Sequence, residues 1–252
     1  MANALVRVLD DAEGVSRAGA GEFARAAREA VLGRGLFAVA LSGGATPLRL
    51  YELLAEPPLR DDVDWRKAEF FWSDERAVPP EHADANFRLA WRSLLSRVAV
   101  PVERIHRMPA DSADLENAAR EYEAEIGRVL GASWGGPPPR FDLVLLGLGA
   151  DGHTASLFPR APALRETARW VAAADPPAGG AWPRLTLTPV ILNRARQVVF
   201  LVTGAEKALA LATVLEGSPG GERLPAQLIR PDLGTTLWLV DRAAAAHLRR
   251  RS

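Results

Sequence analysis

Residues 141–159 read FDLVLLGLGADGHTASLFP. Phe141 to Leu146 is a continuous apolar run of strand length. It breaks at once into a turn carrying Gly147, Gly149 and Gly152. The turn also holds an acid, an imidazole and two hydroxyls, on Asp151, His153, Thr154 and Ser156. An apolar strand feeding a flexible polar turn is how α/β proteins build a site at the carboxyl edge of a sheet. The same pattern recurs outward from this stretch. Leu36–Leu41 runs into SGGATP (42–47), Ala68–Trp72 into SDER (73–76), and Val198–Val202 into TGAEK (203–207).

Helical stretches lie between these strands. Val15–Leu32 is alanine-rich with apolar residues at helical spacing, and Gly33 and Gly35 close it. A helix from about Leu48 to Ala55 ends before Pro57, and another runs from Asn86 to about Val98. Asp111–Leu130 is longer, with Asp111 or Ser112 as its cap. Thr203–Lys207 opens a helix through Leu215, and Asp241 caps a terminal helix of alanines and arginines. Leu5–Leu9, Trp170–Ala174, Arg184–Thr188 and Thr235–Val240 read as further strands. Loops are expected at Gly135–Pro139, Ala178–Ala181 and Gly217–Gly221. Alternation without a repeat predicts an α/β fold: a doubly wound, mostly parallel sheet flanked by helices. Right-handed crossovers would bring the turns at 42–47, 73–76, 147–156 and 203–207 to one edge.

The chain has 252 residues and is 48% hydrophobic, which suits one α/β domain over residues 1–252. A formal net charge of zero supplies no field for nucleic acid or an acidic membrane surface. With no cysteine, disulfides, thiolate metal sites and a cysteine nucleophile are excluded. The four histidines, at 82, 106, 153 and 247, match no compact metal-ligand spacing, so no metal is expected. No apolar run approaches the roughly 20 residues that span a bilayer. The segment MANALVRVLDDAEG turns acidic too soon for a signal peptide, and a cytoplasmic protein is expected.

Two motifs need weighing. Ser42-Gly43-Gly44-Ala45-Thr46-Pro47 places glycines before a helix, with Thr46 as N-cap and Pro47 at the first helical position. Such a loop turns backbone N–H groups and a helix N-terminus toward a phosphate. A tight turn with an ordinary cap explains the same residues. Gly147-Leu-Gly149-Ala-Asp-Gly152 matches the dinucleotide pattern G-x-G-x-x-G. Pro159 and Pro162 cut short the helix that this pattern requires, and Asp151 would repel a pyrophosphate. No nicotinamide, flavin or other cofactor is therefore expected. His153 suits general-base work, and Asp151 is close enough in sequence to orient it. His82, His106 and His247 are read as structural. No G-x-S-x-G elbow is present, so a hydrolase built here would activate water directly on a reactive electrophile such as a lactone.

The blocks SGGATP (42–47), WSDERAVP (72–79) with Asn86, GLGADGHTASLFP (147–159), RLTLT (184–188) with Asn193, and VTGAEKA (202–208) resemble the glucosamine-6-phosphate isomerase/6-phosphogluconolactonase family. They run in that family's order and cover most of the chain. The deaminase members continue differently after the histidine and carry D-E-Y where this chain has Asp74-Glu75-Arg76, so the resemblance is to the lactonases. It implies a Rossmann-like fold. It also implies hydrolysis of 6-phospho-D-glucono-1,5-lactone in the oxidative pentose phosphate pathway. His153 would then be the base and Asp151 its assistant. Arg76 and Lys207 would bind phosphate with the Ser42–Thr46 turn and Arg184. The candidate binding set is Ser42, Gly43, Gly44, Thr46, Asp74, Arg76, Gly149, Arg184 and Lys207. The family's L-P-A-S pattern stands here as Leu224-Pro225-Ala226-Gln227, so that segment receives no site role. The expected partner is a small sugar-phosphate lactone, with the chain a monomer or weak homodimer. An amino-sugar-phosphate deaminase or isomerase using Asp74 as proton acceptor, and a non-catalytic sugar-phosphate-binding module, are the alternatives.

Overall fold

Nine strands carry the architecture in a computed structural model that describes residues 4–132, 136–176, 180–217 and 223–249. They are β1 (Ala4–Leu9), β2 (Phe37–Leu41), β3 (Ala68–Trp72), β4 (Asp74–Arg76), β5 (Leu143–Leu146), β6 (Val171–Ala174), β7 (Arg184–Leu187), β8 (Gln197–Val202) and β9 (Thr235–Asp241). Six form one sheet in the order β1-β9-β8-β5-β2-β3, with every pairing parallel. β2, β3 and β5 are buried at every position, as parallel strands covered on both faces require. The helices are α1 (Ala12–Arg34), α2 (Ala45–Leu54), α3 (Leu59–Asp62), α4 (Asn86–Ser93), α5 (Leu115–Leu130), α6 (Pro189–Leu192) and α7 (Ala208–Glu216).

Strand order explains where a site can form. From β2 the chain steps outward to β3, then returns to the other side of β2 and builds β5, β8 and β9 in the opposite direction. The order therefore reverses between β2 and β5. The loops after these two strands diverge there and leave a crevice at the carboxyl edge. One long helix, α1, covers the sheet beside α2, packing on β2, β8 and β9. Asp11 caps it by accepting from Gly14 N at 2.8 Å, and Gly35 ends it at φ 76°. On the opposite face Phe200 and Trp238 stack with ring centroids 3.8 Å apart.

Ser73–Arg76, read above as a polar turn after a strand, instead continues into a second sheet, antiparallel and ordered β4-β7-β6. Ser73 is the junction. Its N–H donates to Leu41 O of β2 at 2.7 Å, and its carbonyl accepts from Leu187 N of β7 at 2.8 Å. Three other expectations are corrected. α2 begins at Ala45 with Gly44 as its cap residue, because Gly44 turns the chain at φ 108°; Thr46 is already inside the first turn. α5 starts at Leu115, and Asp114 caps it by accepting from Asn117 N. After Asp241 there is a single 3-10 turn, Ala244–His247, not a helix. Of the expected loops, Gly135, Ala178, Gly179 and 218–221 lie outside the described residues, as does the basic end at 250–252. No helix among the described residues is long and apolar enough to cross a membrane.

Tyr122 of α5 locks β3 in place. Its buried hydroxyl accepts from Trp72 N at 2.9 Å and donates to His106 O at 3.0 Å. In the Tyr122→Phe variant Trp72 N–H loses its partner in the core. Denaturant titration should show a loss of about 1–3 kcal/mol in unfolding free energy.

Candidate active site

The turn after β5 is held by its own backbone. Thr154 Oγ1 donates to Gly147 O at 2.8 Å, Gly149 N to His153 O at 2.8 Å, and Gly152 N to Gly149 O at 3.0 Å. Gly152 sits at φ 81°, a left-handed conformation that favours glycine. Gly149 is required for space: a Cβ there would lie 2.0 Å from His153 Nδ1. That absence lets the imidazole fold over the strand end toward Asp151. His153 Nδ1 lies 2.5 Å from Asp151 Oδ1, and the same oxygen accepts His153 N at 3.1 Å. Partial burial raises the Asp151 carboxyl, but the backbone and ring hydrogen bonds from His153 outweigh it and hold the group below the usual carboxylate range. With Nδ1–H donating to an ionised Asp151, Nε2 is the ring nitrogen of His153 that carries the lone pair. No helix follows the glycines; the next helical turn is Pro162–Arg165.

His153 opens onto a cleft of about 330 Å³ at the point where the strand order reverses. Ser42, Gly43, Gly44, Thr46, Asp74, Arg76, Gly149, Arg184 and Lys207 all line it. Asp151 does not; its contact with the cleft lining is through His153. Tyr51, fully buried, anchors the 42–46 loop: its hydroxyl accepts from Ser42 N at 3.1 Å and donates to Ser42 O at 2.8 Å. The ten-residue α2 points its N-terminus into the cleft wall at Ala45. Thr46 Oγ1 and Thr203 Oγ1, 2.8 Å apart, tie this loop to the one after β8. Ser42 Oγ is buried and has no hydrogen-bond partner among the described residues.

Three cationic side chains also line the cleft. Arg76 of β4 and Arg184 of β7 are direct cross-strand partners. Like charges in that relation repel unless an anion neutralises them. Both line the cleft, and the Nε atom of each is buried without a partner among the described residues. Burial holds Arg184 below the ordinary guanidinium range, with Arg76 adding to the effect against the pull of Asp74. The Arg184 guanidinium lies 5.6 Å from the centroid of Phe158, whose ring is 4.9 Å from that of His153. Lys207 ends the 3-10 turn Ala205–Lys207 and supplies the third cation.

Several supporting contacts escaped the sequence reading, including those of Asp74, which it had placed in the binding set. Asp74 is buried, and its carboxylate accepts from Ser156 Oγ at 2.7 Å and from Ser73 Oγ at 3.3 Å. It thus ties the His153 turn to β4. Ser156 N in turn donates to Thr186 Oγ1 of β7 at 3.2 Å. Glu75 faces away from the cleft and accepts from Arg76 N, Asn86 N and Phe87 N. Strand alternation across Asp74-Glu75-Arg76 is the signal that would have found it. Leu224 packs on Gly152, and Ala226 N donates to Gly152 O at 3.1 Å, so the 224–227 segment supports the turn from below. Among the described residues no group of three or more His, Asp or Glu is arranged to hold a metal ion.

A helix-flanked parallel sheet with an acid–imidazole pair and three cations at its switch point defines a doubly wound α/β protein with its site at the carboxyl edge. The chain belongs to the glucosamine-6-phosphate isomerase/6-phosphogluconolactonase family, whose sequence pattern matches residues 10–238. It is 43% identical to a 6-phosphogluconolactonase of Synechocystis sp. over 221 residues, covering 88% of each chain. The 6-phosphogluconolactonase from Trypanosoma cruzi superposes with a TM-score of 0.87 at 30% identity, over 98% of this chain and 97% of that one. A monomeric glucosamine-6-phosphate deaminase superposes at 0.78 and 21% identity, over 96% of this chain and 99% of that one, and shares the fold.

Burial pushes the Glu75 carboxyl from 4.5 up to about 7, against the three backbone donors and with help from Asp74. A raised folded pKa adds stability that is full below about 4.5 and is lost as pH rises through about 7. The unfolding free energy of the wild type minus that of Glu75→Gln should therefore fall by on the order of 3 kcal/mol from about pH 4.5 to about pH 8. A flat difference in denaturant titrations would contradict the burial of this carboxyl.

Proposed function

We propose that the chain hydrolyses 6-phospho-D-glucono-1,5-lactone to 6-phospho-D-gluconate, the ring-opening reaction of the oxidative pentose phosphate pathway. The observation that carries the reading is the Asp151–His153 contact at 2.5 Å, opening on a cleft that Arg76, Arg184 and Lys207 also line. The acid–imidazole pair would move a proton and the three cations would neutralise a dianion. Arg76, Arg184 and Lys207 grip the phosphate with Ser42 and the N–H groups of the Gly43–Thr46 loop at the α2 N-terminus. Gripping the phosphate holds the lactone carbonyl over His153.

His153 Nε2 takes a proton from water as the water oxygen attacks the lactone carbonyl carbon. Asp151 stabilises the imidazolium that forms and keeps its orientation. The tetrahedral oxyanion then collapses, the bond from the carbonyl carbon to the ring oxygen breaks, and the imidazolium returns its proton to that oxygen. Gly149 makes room for the ring, and Asp74 keeps the turn in register through Ser156. In this reading residues 1–252 work as a single α/β domain in the cytoplasm, as a monomer or weak homodimer.

A lactonase assay with freshly generated substrate, corrected for spontaneous hydrolysis, tests the activity. Release of ammonia from glucosamine 6-phosphate without lactone hydrolysis would assign the cleft to the deaminase branch instead. His153→Ala should lower turnover by about 100-fold or more while leaving stability nearly unchanged. Near wild-type turnover in that variant would remove His153 as the base. Lys207→Ala should raise KM about 10-fold with kcat little altered. An unchanged KM would take Lys207 out of the phosphate grip.

A further inference from the structure

Asn86 is the first residue of α4, and it is 2% exposed. Its side chain does not cap its own helix. Both Asn86 N and Phe87 N donate to the Glu75 carboxylate, at 2.8 and 2.7 Å. The carboxamide is thereby released toward the cleft, which it lines together with Gly43. Asn86 Nδ2 donates to Asp74 O at 2.9 Å. Asn86 Oδ1 lies so close under Gly43 that a Cβ on that glycine would be 1.9 Å from it. One buried side chain thus touches both walls: the glycine loop after β2 and the backbone that carries Arg76.

We propose that Asn86, clamped by Glu75, is a positioning residue that sets the spacing between the Gly43 loop and the Asp74–Arg76 strand, and through that spacing the affinity for a phosphate monoester. The inference rests on the assignment of the 42–46 loop to phosphate. It requires a residue that is both small enough to fit under Gly43 and able to donate to Asp74 O. A hydrogen bond used only to hold α4 would affect stability and leave phosphate affinity alone. A spacer between the two walls affects affinity first.

The test combines calorimetric titration of inorganic phosphate and of 6-phosphogluconate with lactone turnover, on the wild type and on Asn86→Ala, Gly43→Ala and the double variant. Asn86→Ala should weaken phosphate binding and raise KM about 10-fold, with kcat within about twofold of wild type. Gly43→Ala alone should weaken binding further, since its methyl group is driven into the carboxamide. Adding Asn86→Ala to it should recover part of the loss, because the colliding group is gone. Unchanged phosphate affinity in Asn86→Ala, or strictly additive losses in the double variant, overturns the inference. A wild type that binds phosphate without opening the lactone would refute the proposed activity, while the calorimetric series would still decide the role of Asn86.

Discussion

Two hydrogen bonds at Ser73 hold the molecule in its working form. Ser73 N donates to Leu41 O in the parallel sheet, and Ser73 O accepts from Leu187 N in the antiparallel one. The backbone leaves one sheet and joins the other within a single residue. Without that junction the chain after β3 would pass into solvent as a charged loop. With it, Asp74 and Arg76 are set on one face, Glu75 on the other, and the small sheet becomes a wall of the cleft. Arg184 then follows from strand pairing alone, since the register places it opposite Arg76.

Electrostatic strain is concentrated on that wall. Two guanidinium groups face each other across neighbouring strands, one of them desolvated and pressed near an aromatic ring. Asp74 offsets them in part, but its carboxylate is already engaged by Ser156 and Ser73. The folded protein tolerates this arrangement because the core beneath it is large and apolar. Tyr51, Trp72 and Tyr122 are buried with their hydroxyls or backbone neighbours tied into the strand ends. Stability supplied by the core offsets the cost of holding these cations together at the edge.

The parallel sheet was legible in the sequence because its strands are continuous apolar runs and each is followed by a glycine or polar turn. The candidate base was legible for the same reason: His153 and Asp151 stand two residues apart in a turn whose glycines announce a close approach. Of the second sheet, Trp170–Ala174 and Arg184–Thr188 were legible as strands, but β4 and its pairing with β7 were not. Its strands are short, and β4 consists of Asp74-Glu75-Arg76, which carries no apolar signal. Asn86 was legible as a helix start and as part of a family pattern, but not its contacts with Gly43 and Asp74, which lie 43 and 12 positions away. The terminal alanines looked helical by propensity, yet Asp241 gives its carboxylate to Ala244 N and to Gly204 N, and only one turn forms.

The acid–imidazole pair is local: Asp151, Gly149 and His153 fix one another within five residues. The proposed phosphate grip is assembled from four separated segments, at 42–46, 76, 184 and 207, which line one cleft. Chemistry and recognition are thus encoded in different ways along the chain. A change in any one of the gripping loops can retune which phosphorylated ring is accepted and leave the proton-transfer unit intact. The same scaffold can therefore diverge in substrate by loop replacement, one segment at a time, without rebuilding its catalyst.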